Sequence, residues 1–306
     1  MAQSGSIPRG FGTVRQRTLS ATLVVVVTLV PLVLGTWAWF VLILAVLMQG
    51  ARELARGFSR VTREPIQPLS IVLAASILLI TVQITDSRAV ILVAAISTSL
   101  LPIAWHARTA DHRDGLQRGV FASFGAFYLG APLSAAILLR SIEGIGHAAW
   151  LQRLAALLGT ERTALGLAWL AWALSVTWLT DTFAYLAGSR YGHRKLAPRL
   201  SPGKTWEGAV AGFLTGLLVG MLGAWLFGVP LSPAAGGAAG AAIAVLAELG
   251  DLAESFLKRG LGLKDFGRSI PGHGGVLDRI DALLVTVPAT LLLATLLSGG
   301  TPWPFA

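Results

Sequence analysis

The 306 residues carry 24 lysines and arginines against 15 acids, a formal charge of +9, yet only 13% of residues are charged and 54% are hydrophobic. Mean hydropathy is +0.70, above that of an average soluble domain, and several apolar runs reach the roughly 18–20 residues that cross a bilayer. These values exclude a water-soluble protein and assign the basic excess to loops beside anionic lipid rather than to nucleic acid; the absence of cysteine excludes disulfides, thiolate metal ligands and a cysteine nucleophile.

Taken in chain order, hydropathy predicts an all-α, polytopic membrane protein. Nine spans are expected, at approximately 19–36, 37–51, 68–85, 89–105, 119–139, 166–187, 208–228, 236–257 and 281–298. Arg9, Arg15 and Arg17 precede the first apolar run without an obvious small-residue cleavage site, so that run reads as a retained span. The segment 147–158 is apolar but too short to cross and suits the membrane interface. Span seven repeats Gly208, Gly212, Gly216 and Gly220, a small-residue face that serves helix packing. No Gly-, Pro- or Ser-rich linker divides the chain. One integrated domain is expected, with residues 1–140 (spans one to five) as scaffold and 141–306 (spans six to nine) carrying the polar loops. Nine spans place 20 of the 24 lysines and arginines on one side, leaving Arg88, Arg140, Arg153 and Arg162 on the other. That bias puts the N-terminus and the large polar loops in the cytoplasm.

The polar residues concentrate between Glu248 and Asp281. Besides Glu248, this stretch holds Asp251, Glu254, Asp265, Asp278 and Asp281, the cations Lys258, Arg259, Lys264, Arg268 and Arg279, and His273. Ionisable groups beside membrane-length helices are expensive and usually mark a site. Asp251, Glu254 and Lys258 share a face at the end of span eight, with Glu248 one turn deeper. Asp278 and Asp281 repeat the three-residue spacing where span nine begins. Carboxylates brought together by a hairpin suit Mg²⁺ with substrate phosphates; an intramembrane ion-pair network is the competing reading. The glycines of Pro271-Gly-His273-Gly274-Gly275 let backbone amides approach a phosphate, with Lys264, Arg268 and Arg279 nearby. His273 could orient phosphate or carry a proton, or be an ordinary loop residue.

A second polar stretch faces the same compartment. Asp181 lies near the end of span six, followed by Tyr185 and Gly188. Ser201-Pro-Gly-Lys204-Thr205 then precedes span seven as a phosphate-gripping turn ahead of a helix N-terminus. It lacks the upstream glycine of a Walker P-loop. Thr205 and Glu207 also fit simple helix capping.

The pattern Ser255-x2-Lys258-Arg259-x4-Lys264-Asp265-x5-Pro271-x-His273-Gly274-Gly275-x2-Asp278-Arg279-x-Asp281 resembles the signature of phosphatidate cytidylyltransferases, or CDP-diacylglycerol synthases. Asp181-x2-Ala-Tyr185-x2-Gly188 and Lys195-Leu-x-Pro198-x2-Ser201-Pro202-x-Lys204-Thr205-x-Glu207-Gly208 are similar to other blocks of that family. The specific likeness covers about 181–281, with small departures at Thr180, His193 and Gly203. It implies CMP transfer from CTP to phosphatidic acid with Mg²⁺, allows K⁺ beside it, and implies a homodimer in the cell membrane whose polar cavity opens to the cytoplasm and to lipid. Carried over by position, Asp251 and Asp278, followed by Asp281 and Asp181, are the expected metal ligands. Asp251, Asp278, Lys258 and His273 form the expected catalytic set. Ser201, Lys204, Thr205, Arg259, Lys264, Gly274, Gly275, Arg279 and Tyr185 are expected to bind substrate. A membrane nucleotidyl- or phosphotransferase acting on another lipid phosphate is the alternative enzyme. A cation-coupled transporter using Asp181, Glu248 and Asp251 is the alternative class.

Overall fold

A computed structural model describes residues 14–109, 111–272 and 274–297; the expectations placed on His273 lie outside the described residues. The chain runs α1 (Val14–Leu34), α2 (Thr36–Phe58), α3 (Pro68–Ile84), α4 (Arg88–His106), α5 (His112–Arg140), α6 (Ala149–Leu157), α7 (Ala164–Tyr191), α8 (Trp206–Phe227), α9 (Pro233–Gly260), α10 (Leu277–Ile280) and α11 (Leu283–Leu297). Seven helical segments are long and apolar enough to cross a membrane, and Ser20–Leu34 and Pro68–Ile84 add two shorter apolar helices. The protein is thus helical and multi-pass. Between α7 and α8 the structure adds a feature that hydropathy could not register. Strands β1 (Lys195–Ala197) and β2 (Ser201–Thr205) pair antiparallel, with Lys195 opposite Thr205 and Ala197 opposite Ser201.

Two helices run well past the expected apolar edges. The apolar run of span two ends at 51, but α2 continues to Phe58, because its charges separate by face: Glu53 is buried while Arg52 and Arg56 are exposed. Likewise α5 begins at His112 rather than 119. Asp111 caps it, accepting from the amides of Arg113 (3.0 Å) and Asp114 (3.2 Å). Arg118 then pairs inside the helix with Asp114 at 2.8 Å. The last span starts at Leu277 and is interrupted at Asp281–Ala282. The short segment after α5 forms α6, with Trp150 donating to the carbonyl of Leu226 at 2.7 Å and Leu157 83% exposed.

The packing of α7, α8 and α9 sets the position of the polar cluster. A Cβ on Gly220 would sit 2.3 Å from the carbonyl oxygen of Gly236, and one on Gly240 2.2 Å from that of Gly216. Only glycine permits this approach, and in lipid such close backbone contact replaces the hydrophobic drive. Thr205 caps α8 by accepting from the Gly208 amide at 3.2 Å, and Ser232 caps α9 through the Ala235 amide at 3.2 Å. On the other side, α5 packs against α2, α3, α4 and α11. Because α11 also contacts α7 and α9, it joins the two helix groups at the end where the carboxylates lie.

Candidate metal centre

The C-terminal half of α9 presents Glu248, Asp251, Glu254 and Lys258 at three- and four-residue intervals, so one helix face points its side chains at the break between α10 and α11. There, oxygens of Asp251, Glu254 and Asp281 lie within 4.8 Å of one another. Glu254 is 1% exposed, and its Oε1 is buried without a hydrogen-bond donor among the described residues. Three carboxylates this close repel one another strongly where water is scarce. A divalent cation among them would remove that repulsion and satisfy the orphaned oxygen; hard oxygen donors are the set Mg²⁺ takes. The residues present therefore fit the ion.

Lysines flank the trio on both sides. Lys204, at the end of β2, contacts Glu248 and lies 2.8 Å from Asp251. Burial opposes its charge, but the Asp251 and Glu248 carboxylates outweigh this and hold its pKa above the usual lysine value. Lys258 bridges Glu254 at 3.2 Å and Asp278 at 2.9 Å, joining α9 to α10. The other oxygen of Asp278 accepts from the amides of Phe266 (3.1 Å) and Gly275 (2.9 Å). Asp278 is thus engaged with Lys258 and the loop, and any ion it met would share those oxygens. Asp181, exposed near the end of α7, lies within electrostatic reach of Asp281, Lys204, Asp251 and Glu248.

The remaining sequence-predicted residues surround this core at varying remove. Arg259 donates to the carbonyls of Leu200 (3.2 Å) and Leu263 (2.9 Å), tying the turn of the hairpin to the end of α9. Gly274 has φ +86°, and a Cβ there would come 3.0 Å from the Asp278 carboxylate. Buried Thr205 caps α8, its alternative reading, while Glu207 accepts from the Arg194 amide at 3.2 Å and so ties the start of α8 to the segment ahead of β1. Ser201 is half-buried in β2. Tyr185, Lys264 and Arg279 are exposed.

Two acids matter more than the sequence reading allowed. Glu254 is legible on the shared face of α9, but the family resemblance favours Asp278 as the ligand. Both are buried, and what separates them is that both oxygens of Asp278 accept from Lys258 or the loop amides while Oε1 of Glu254 has no donor among the described residues. Glu53 lay in what hydropathy assigned to a loop, and nothing in its neighbours signals a site. In the structure its buried carboxylate accepts from Ser269 (2.6 Å) and from the amides of Val276 (3.1 Å) and Leu277 (3.0 Å).

Fold and site together define a multi-pass helical membrane protein with a carboxylate and lysine centre at helix ends. A model of the cytidylyltransferase family matches residues 15–297, and the chain belongs to that family. The match extends well beyond the 181–281 stretch that carries the motifs. Among its relatives, a phosphatidate cytidylyltransferase of Brucella abortus is 40% identical over 135 residues, covering 43% of this chain and 48% of that protein. Those of Haemophilus influenzae and Staphylococcus aureus are 41% identical over 135 residues (40% of this chain, 44% of that protein) and 40% identical over 138 residues (42% and 49%). The chain spans about half the length of the curated relatives it matches.

Proposed function

We propose that the protein transfers CMP from CTP to phosphatidic acid, releasing pyrophosphate and leaving CDP-diacylglycerol in the membrane. The observation that carries this reading is the convergence of Asp251, Glu254 and Asp281 beside Lys204 and Lys258, in a chain of the cytidylyltransferase family. An oxygen of the lipid phosphate forms a bond to the α-phosphorus of CTP. The bond from that phosphorus to the bridging oxygen breaks, and the electron pair leaves with pyrophosphate. The lipid phosphate is already anionic at neutral pH, so the reaction requires no strong base; the barrier is the approach of an anion to a polyanion.

Asp251, Glu254 and Asp281 would hold Mg²⁺, with Asp181 and Asp278 the further acids of the site. When bound, the ion supplies charge neutralisation for the phosphates. Lys204 presents a persistently charged ammonium at the entrance to the trio. Lys258 keeps Asp278 and Glu254 in register, and Asp278 holds the loop of Gly274 and Gly275 by accepting from the Gly275 amide. The Gly274 amide, with Arg279, Lys264 and Arg259, is suited to phosphate oxygens. Preorganised contacts of this kind are each worth roughly 3 kcal/mol in a transition state. We further propose nine spans, an N-terminus and active site on the cytoplasmic face of the cell membrane, a homodimer, and, from the family resemblance, K⁺ as a second ion.

The test uses the protein purified in detergent with CTP labelled at the α-phosphorus, phosphatidic acid and Mg²⁺. Label entering the lipid phase and abolished by EDTA supports the reading. Label entering only with a different lipid phosphate identifies the alternative transferase and overturns the assignment of substrate.

A further inference from the structure

Glu53 belongs to α2, in the half of the chain expected to act as scaffold, yet four donors converge on its fully buried carboxylate. They are Gln49 Nε2 on its own helix (3.0 Å), Ser269 Oγ (2.6 Å), and the backbone amides of Val276 (3.1 Å) and Leu277 (3.0 Å). Three of the four come from the loop between α9 and α10 or from the first residue of α10, more than 200 positions along the chain. Gln49 also reaches Ser269 at 2.5 Å, closing a small network. The backbone is fitted around this carboxylate on both sides. A Cβ on Gly267 would lie 2.7 Å from one Glu53 oxygen, and one on Gly275 2.5 Å from the other.

A buried carboxylate is tolerated where charge-assisted hydrogen bonds replace its lost water, and removing it orphans every donor it satisfied. Here the donors are the backbone immediately ahead of Asp278 and Asp281. Asp278 holds the same loop through Phe266 and Gly275, so the loop is gripped at Phe266, Ser269 and Gly275–Leu277 by two carboxylates from opposite halves of the chain. We propose that Glu53 is a positioning residue for cytidylyl transfer: it fixes the glycine loop and the start of α10, and through them the placement of Asp281 in the metal trio. It touches neither substrate nor ion. The proposal rests on the reading of the reaction given above, but its structural half can be measured without turnover.

The experiment compares wild type with Glu53→Gln, which keeps the volume, and Glu53→Ala, with Asp251→Asn as an inactive control. Amide hydrogen exchange is followed over 266–280 alongside kcat, KM for CTP and thermal unfolding. Both Glu53 variants should exchange faster in that segment, while Asp251→Asn retains wild-type protection. The value of kcat should fall by about tenfold to a hundredfold, the range expected when catalytic groups shift by about an ångström, with a much smaller change in KM. Should Glu53→Ala fail to fold, Glu53→Gln carries the test. Unchanged exchange overturns the clamp. Faster exchange with kcat within about twofold overturns the positioning role, because the normal scatter of surface substitutions would cover it. If the wild type transfers no CMP, the assigned reaction fails, while the exchange data still decide whether Glu53 holds the loop.

Discussion

At the scale of single residues, the centre separates acids that hold structure from acids that resist it. Asp278 is paired with Lys258 and with two loop amides, whereas Asp281 faces the carboxylates of Asp251 and Glu254; Glu254 stands between the two, sharing Lys258 through one oxygen and facing the acids with the other. The two classes respond oppositely to neutralisation. Asp278→Asn leaves Lys258 with one partner in a buried position and loosens the loop; thermal stability and activity should fall together, the former by about 3 kcal/mol as for other broken buried pairs. Asp281→Asn relieves like-charge repulsion, so its melting temperature in EDTA should equal or exceed wild type while cytidylyl transfer falls about a hundredfold or more. Differential scanning fluorimetry beside the labelled-CTP assay checks both. A lower melting temperature for Asp281→Asn in EDTA would mean that its carboxylate stabilises the ion-free fold, contrary to the geometry.

At the scale of elements, the glycine contacts of α8 and α9 aim the carboxylate face. A side chain at Gly240 must displace the backbone of Gly216 and Gly220, whereas Gly203, in the hairpin, has nothing within 4 Å of its Cβ direction. Gly240→Val should therefore destabilise by about 2 kcal/mol and reduce activity, while Gly203→Ala should change neither; thermal melts of the two variants provide the comparison. The same elements explain what the sequence disclosed. Apolar runs located every long helix, and the spacing of Asp251, Glu254 and Lys258 disclosed their common face. Helix ends were less legible, because hydropathy averages over a turn in which Glu53 points inward and Arg52 and Arg56 outward. The pairing of Glu53 with a loop over 200 residues distant, and the placing of Glu254 rather than Asp278 beside Asp251 and Asp281, depend on helix rotation and on which distant donors reach each carboxylate. No local pattern encodes these.

At the scale of the whole molecule, charge asymmetry and the site share one end of the bundle. The stretch from the end of α7 to α8 and the stretch from the end of α9 through α10 carry ten of the twenty cations expected to face the cytoplasm, while α6 and the turn after it lie toward the opposite end of α7. Because the chain has no cysteine, single substitutions report topology cleanly. In intact cells, a membrane-impermeant maleimide should label Gly159→Cys from outside and leave Arg199→Cys unlabelled until the membrane is opened. External labelling of Arg199→Cys would invert the proposed orientation.

The central claim is that Asp251, Glu254 and Asp281 form a divalent-ion site serving nucleotide transfer. Electron paramagnetic resonance of Mn²⁺ added to the purified protein with CTP measures it most directly. One bound ion is expected for wild type, with affinity lowered at least about tenfold by Glu254→Gln and by Asp281→Asn, the usual order of effect at a metal site. Binding unchanged in both variants would contradict the assignment of these carboxylates.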